Sequence, residues 1–345
     1  MTDRQDRIRI GIVGAGANTV ARHIPGLQAI AGVEIVSVAN RSRESGERVA
    51  AQFGIARVYD RWDELIAAPD ADAIVIGTWP YLHARATVAA LEADKHVLCE
   101  ARMARNAAEA HRMLAAAQAA PQLVAQIVPA PFTLGVDRTV RRLIAEGFVG
   151  ELLALRVRDG NAFLDRDAPL HWRQDMDLSG FNILTMGIWY ESIMRWAGEA
   201  TEVLAMGATF ARTRALPDGS RRAVRVPEHV DIVARLACGA QASMQFSSVT
   251  GLAGPAEVWL FGSAGVLRFS EGRLSGARRD EPALREIAIP EAEAGRWRVE
   301  QEFISAIRGH EPVTHTSFED GVKYMEFTEA VTRSIQTRQS IALPL

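Results

Sequence analysis

From Ile8 to about Ala130, short apolar runs alternate with amphipathic stretches, and this alternation narrows the possible folds more than any other feature of the chain. The runs at residues 7–14, 33–40, 71–78, 95–100 and 122–128 read as strands, and the stretches at 19–30, 43–54, 82–94 and 106–120 read as helices. Between them, ARVYD is short and extended and WDELIAA is a brief helix. Strands separated by helices of this length predict right-handed β-α-β units and a parallel sheet covered on both faces.

The pattern changes after PAPF at 129–132. A helix, DRTVRRLIAEG, leads into ELLALRVRDG, where apolar residues recur with period two. DIVARLACGAQASMQFSSV and AEVWLFGSAGVLRF read as hairpins with glycine-centred turns, and residues 180–198 read as one amphipathic helix. The final stretches, VEQEFISAIRG and SFEDGVKYMEFTEAVTRSIQTR, read as helical. The expected fold is α/β. Residues 1–128 form an N-terminal doubly wound parallel sheet of Rossmann type. Residues 129–345 form a C-terminal α+β domain with a mostly antiparallel open sheet, whose last helix is free to pack back on the first domain.

A chain of 345 residues has room for two cores. Its net charge of −3, with no Lys/Arg block longer than a pair, points away from nucleic acid and membrane partners. No run approaches the roughly 20 apolar residues that a spanning helix needs. Cys99 and Cys238 lie far apart in apolar runs, so a disulfide framework is not expected and a reducing cytoplasm fits. No metal ligands are assigned.

GIVGAGANTV carries the first chemical signal. Gly14 permits a tight turn, and Gly16 lets the backbone approach a pyrophosphate at the positive end of the following helix. Ala17 and Asn18 continue the turn, and Thr19 stands where the fingerprint's third glycine is usual. The competing reading is a glycine turn without a ligand. The second strand ends in Asn40, Arg41, Ser42 and Arg43. An acidic residue here would bond the ribose hydroxyls and repel a 2′-phosphate. Asparagine removes that repulsion, and either arginine suits phosphate, so NADP(H) is favoured with NAD(H) still open. The alternative is an ordinary solvated helix start.

The quoted segments GIVGAG…ARHIPGL, IVIGTWPYLHARATVAALEADKHVLCE, LIAEGFVGEL, HWRQD…SGFNILTMGIW and the terminal EFISAIRG…IALPL resemble the glucose–fructose oxidoreductase / inositol dehydrogenase family, often written Gfo/Idh/MocA. The resemblance implies a cofactor lying across the first domain, near Thr78, Trp79, His83 and Glu100. It also implies a small-molecule substrate in a cleft between domains, and a homodimer or homotetramer formed through the open sheet. The family's chemistry usually rests on a lysine in a Glu-Lys-Pro motif and on an aspartate and a histidine four residues apart on one helix, a spacing that puts both on one face.

All three positions depart from that pattern. Glu-Lys-Pro becomes Glu100-Ala101-Arg102, and the aspartate and histidine positions fall on Thr185 and Trp189, with Gly180 and Gly187 holding the register. Alanine and tryptophan move no protons, and threonine is a poor base near neutrality. The replacement candidates are His171 as acid–base by its intrinsic pKa, Tyr190 as a proton donor, and Arg102 for a substrate carboxylate or developing oxyanion. Asn161, Trp172, Arg173, Thr185 and Trp189 are the expected substrate contacts, Trp189 by stacking. The polar run that begins at Asp159 is either a substrate loop or a solvated turn, and His83 is as readily structural. Three functions stay open at this point. They are an NAD(P)-dependent oxidoreductase with a non-standard catalytic set, acting on a sugar-derived, cyclic or aromatic carbonyl or alcohol; a lyase, hydrolase or epimerase that retains the nicotinamide; and a catalytically silent nucleotide-binding protein.

Overall fold

The computed structural model describes residues 7–345. The chain divides into two compact units, Met1–Pro129 with Arg298–Val322, and Ala130–Trp297 with Lys323–Leu345.

The first unit is built on β1 (Ile8–Val13), β2 (Val33–Ala39), β3 (Arg57–Tyr59), β4 (Ala73–Ile76), β5 (His96–Cys99) and β6 (Ala125–Ile127). They form one sheet in the order β3-β2-β1-β4-β5-β6, and every neighbouring pair is parallel. This is the doubly wound order, whose topological switch lies between β1 and β4. Helices connect the strands: a π-turn at Thr19–His23 continued by α1 (Ile24–Gln28), then α2 (Arg43–Phe53), α3 (Trp62–Ala67), α4 (Pro80–Glu92) and α5 (Ala107–Ala119). All of β4 is buried, and Ile10, Ile12, Ile74, Ile76 and Leu98 are fully enclosed, as a sheet covered on both faces requires.

The second unit opens with α6 (Asp137–Ala145), β7 (Leu152–Asp159), α7 (Met176–Ser179) and α8 (Met186–Ala197). Its strands continue as β8 (Ala200–Ala208), β9 (Thr213–Ala215), β10 (Arg221–Ala223), β11 (His229–Leu236), β12 (Gln241–Ser247), β13 (Glu257–Gly262), β14 (Gly265–Ser270), β15 (Arg273–Arg278) and β16 (Arg285–Glu286). The remaining elements of the chain are α9 (Val299–Ile307), α10 (Phe318–Thr337) and β17 (Ile341–Ala342). A nine-stranded sheet runs β16-β15-β14-β13-β7-β12-β11-β8-β17. Its pairs are antiparallel except β7 with β12. The period-two pattern sorts β11 into a covered face of Val230, Ile232, Ala234 and Leu236 and an open face of Asp231, Val233 and Arg235. Tyr190 of α8 stacks on Phe327 of α10 with centroids 3.6 Å apart, and both rings are buried.

Two local features differ from the sequence expectation. The predicted helix over residues 180–198 is broken: Gly180 has φ of 66° and Leu184 φ of 45°, so the regular turn starts only at Met186. The chain also re-enters the first unit at Arg298. There α9 buries Val299, Phe303 and Ile304, while Glu300 and Glu302 bond His23 and Gln126. Among the described residues no helix is long and apolar enough to cross a membrane.

Candidate functional site

The switch point of the first sheet carries the glycine turn. Gly14 N donates to Ala39 O at 2.8 Å and Gly77 N donates to Val13 O at 2.8 Å, so the ends of β1, β2 and β4 are tied together. Gly14 has φ of +83°, and a Cβ there would lie 2.4 Å from Thr78 Cγ2. Only glycine fits this close approach. Asn40 Oδ1 accepts from Ala15 N at 2.7 Å, so its amide fastens the loop to the end of β2.

Above this turn lies a cavity of 570 Å3, lined by Gly14, Gly16, Asn40, Arg41, Thr78 and Trp79 among others. Its far wall is Asp60–Asp63 with Trp62, a segment the sequence reading did not include. Arg41 is exposed, and its guanidinium carbon lies 5.9 Å from the centroid of the Trp79 ring. Two expected contacts are corrected. Arg43 bonds Glu47 Oε1 on its own helix at 2.9 Å and Asp60 Oδ1 of the connection after β3 at 3.0 Å, so its charge is already paired. Ser42 caps α2 by accepting from Ser45 N at 3.3 Å. Neither residue lines the cavity, and neither do Ala17, Asn18, His83 or Glu100. His83 is fully buried between carbonyls: Nδ1 lies 3.0 Å from Arg102 O and Nε2 2.9 Å from Thr78 O. Burial lowers its pKa, so it favours the neutral ring and a structural role.

Glu100 belongs to a buried cluster that no sequence spacing announced. Its Oε1 accepts from Asn18 Nδ2 and lies 2.9 Å from His23 Nε2; on the other side of that ring, His23 Nδ1 lies 2.5 Å from Glu300 Oε1. Burial disfavours the charged imidazole, but hydrogen bonds to Glu100 and Glu300, with their charges, raise its pKa to about 9. Burial also works against the Glu100 carboxylate, and hydrogen bonding and attraction to His23 overcome it, so its pKa falls below the ordinary value. A histidinium thus joins the helix behind the glycine turn to the end of β5 and to α9. Glu100 Oε2 accepts from Ala101 N at 3.1 Å, which fixes the start of the Ala101–Arg102 segment, where the peptide bond is cis. Arg102 is 5% exposed, so it is corrected from an open substrate clamp to a buried residue.

In the second unit, Thr185 and Trp189 converge on one carboxylate. Thr185 Oγ1 donates to Asp159 Oδ2 at 2.6 Å and Trp189 Nε1 donates to the same oxygen at 2.8 Å. The Trp189 ring is 3% exposed, with Phe132 at 5.1 Å and Phe269 at 6.3 Å between centroids. Trp189 is therefore corrected from a stacking platform to a buried hydrogen-bond donor. Tyr190 is also corrected. Its hydroxyl accepts from Ala200 N at 2.8 Å, and burial pushes its pKa up, so it is a core residue and no proton donor. His171 sits exposed before the short turn Trp172–Gln174, and its Nδ1 accepts from Arg173 N at 3.3 Å. Partial burial and the Arg173 charge lower its pKa. The Arg173 guanidinium lies 4.2 Å from the Trp172 ring centroid, and Asn161 is exposed.

Two family models account for most of this architecture. Residues 8–126 match the one described as "Oxidoreductase family, NAD-binding Rossmann fold", and residues 138–268 match "GFO/IDH/MocA C-terminal domain". The chain belongs to the Gfo/Idh/MocA family. Among curated relatives, 1,5-anhydro-D-fructose reductase of Ensifer adhaerens is 35% identical over 150 residues, 43% of this chain and 44% of the relative. Trans-1,2-dihydrobenzene-1,2-diol dehydrogenase of Bos taurus is 29% identical over 187 residues, 53% of each chain. The chain spans about half the length of the curated relatives it matches. Levoglucosan dehydrogenase, solved with NADH and levoglucosan, superposes with a TM-score of 0.86 at 22% identity, covering 98% of this chain and 100% of the other. An oxidoreductase domain protein from Kribbella flavida gives 0.85 at 23%, covering 98% and 100%. At these identities the structural likeness shows a shared fold.

Proposed function

We propose that the protein is a nicotinamide-dependent oxidoreductase acting on a sugar-derived, cyclic or aromatic carbonyl or alcohol, with a catalytic set that departs from the family's Lys-Asp-His trio. The observation that carries this reading is the 570 Å3 cavity over the glycine turn, where a side chain at Gly14 would collide with Thr78. The residues present fit a dinucleotide: a side-chain-free turn for the pyrophosphate, and Asn40 and Arg41 where the adenosine ribose would lie. A bound nicotinamide dinucleotide would supply or accept the hydride. The chain's own part is to hold and orient that group and to move the matching proton, for which His171, exposed and with its pKa lowered, is the assigned acid–base.

Relatives named for 1,5-anhydro-D-fructose and for a dTDP-linked deoxy sugar, and the fold shared with a levoglucosan dehydrogenase, support a sugar-derived substrate. Turnover is read as loss of reduced-nicotinamide absorbance when the protein meets NADPH or NADH with 1,5-anhydro-D-fructose and other cyclic carbonyls. Oxidation of levoglucosan gives the reverse assay. Tight nucleotide binding without turnover on any of them would favour a silent binding protein and sink this reading.

The cofactor preference turns on Arg41. It lines the cavity, whereas Arg43 is paired with Glu47 and Asp60. Arg41→Ala is expected to weaken NADPH about 10- to 100-fold, the usual value of a charge-assisted phosphate contact, and NADH less than threefold. Arg43→Ala is expected to change neither. Equal losses for both nucleotides in fluorescence titration would remove the 2′-phosphate assignment.

Self-association is assigned to the open face of the nine-stranded sheet, where Leu204, Met206 and Val233 stand exposed together, Met206 at 78%. Sedimentation that finds a monomer at tens of micromolar would refute it.

A further inference from the structure

Asp159 closes β7 on the face whose preceding positions, Leu155 and Val157, are buried. A carboxylate at the end of an apolar face loses hydration and needs compensating hydrogen bonds. The fold supplies them to one oxygen only. Oδ2 accepts from both Thr185 Oγ1 and Trp189 Nε1, while among the described residues no hydrogen bond or ion pair reaches Oδ1. The strand end is also fixed in place. A Cβ on the next residue, Gly160, would lie 2.3 Å from Ser247 O, so the backbone runs tight against β12. Against the Trp189 indole lies the Phe132 ring, 42% exposed.

We propose that Asp159 Oδ1 and the Phe132 ring form a subsite for a neutral, polyhydroxylated ligand. The inference deepens the oxidoreductase reading and rests on it where the ligand is taken as the enzyme's substrate. An ionised carboxylate only accepts hydrogen bonds, so Oδ1 takes one or two ligand hydroxyls as donors. The exposed aromatic ring covers a C–H face of the same ligand. Thr185 and Trp189 are positioning residues: they hold the carboxylate by its other oxygen, so that little order has to be created on binding. The same negative charge disfavours sugar acids, whose carboxylates would meet it directly.

The test uses the full-length protein with 1,5-anhydro-D-glucitol as neutral probe and D-gluconate as anionic control. Affinity is read by calorimetry or saturation-transfer NMR with NADH present, and NADH affinity is measured separately. The wild type is expected to bind the neutral polyol at least about tenfold more tightly than gluconate. Asp159→Asn is expected to lose about 10- to 100-fold for the polyol, the value of a hydrogen bond to a charged group, with NADH affinity unchanged. Thr185→Val keeps the carboxylate and removes one support, and about threefold weakening is expected. Polyol binding that survives Asp159→Asn, a preference for gluconate, or no polyol binding by the wild type overturns the subsite. If Asp159→Asn does not fold, Thr185→Val decides, and unchanged affinity there overturns it too. Failure of the wild type to bind NADH or NADPH instead overturns the oxidoreductase reading, and the polyol titration then judges the subsite by itself.

Discussion

Replacing His23 with leucine is expected to destabilise the first unit by about 3–5 kcal/mol, the usual cost of removing one partner from a buried ion pair. The ring is fully buried between the Glu100 and Glu300 carboxylates, which are 14% and 5% exposed. Leucine leaves both of them without their shared counter-charge. The wild type carries a matching pH signature. The pKa of His23 rises from 6.5 in the unfolded chain to about 9 in the fold, and a shift of that size corresponds to about 3 kcal/mol. A raised pKa stabilises the fold in the protonated state. The contribution is complete below pH 6.5 and is lost as pH climbs through about 9. Denaturant midpoints for wild type and His23→Leu, measured from pH 6 to pH 10, are expected to converge on the alkaline side. Parallel curves with a constant gap would show that the imidazole is not charged in the fold.

Gly14→Ala is expected to abolish nucleotide binding, with at least about a 100-fold loss for both NADH and NADPH. Two costs add at this position. A φ of +83° strains any side chain, at about 1–3 kcal/mol, and the new Cβ meets Thr78 Cγ2 at 2.4 Å and Thr78 N at 2.9 Å. The second contact is with backbone, so relief requires the ends of β1 and β4 to move apart. That displaces the amides expected to face the pyrophosphate. Calorimetric titration with each nucleotide, beside a melting curve, checks both parts. Affinity within threefold of wild type would place the phosphate elsewhere and remove the main support for the oxidoreductase reading.

The sequence fell short in identifiable places. It singled out Gly14 and Gly16 from the turn after β1 and Asn40 and Arg41 from the end of β2, because a strand end and the start of its helix are local, whereas Thr78 and Trp79 came only from the family resemblance; the fold brings all six to one cavity. It treated Arg43 as Arg41's equal, since nothing local shows that Asp60 approaches from another connection to neutralise it. It left Tyr190 open as a donor because one turn of α8 does not reveal that Phe327, far along the chain, covers the ring. It read Asp159 as part of a polar run and Thr185 and Trp189 as substrate contacts. Only the pairing of β7 with its neighbours sets the carboxylate against α8.

The alternation of strands and helices, the parallel character of the first sheet and the glycine turn were determined by the sequence alone, because each depends on periodicity or on the φ angles that a few residues permit. Charge states and partners were decided by the tertiary structure. His23, Glu100 and Glu300 meet across 277 residues, and whether that imidazole holds its second proton depends on burial and on two carboxylates that no neighbouring position specifies.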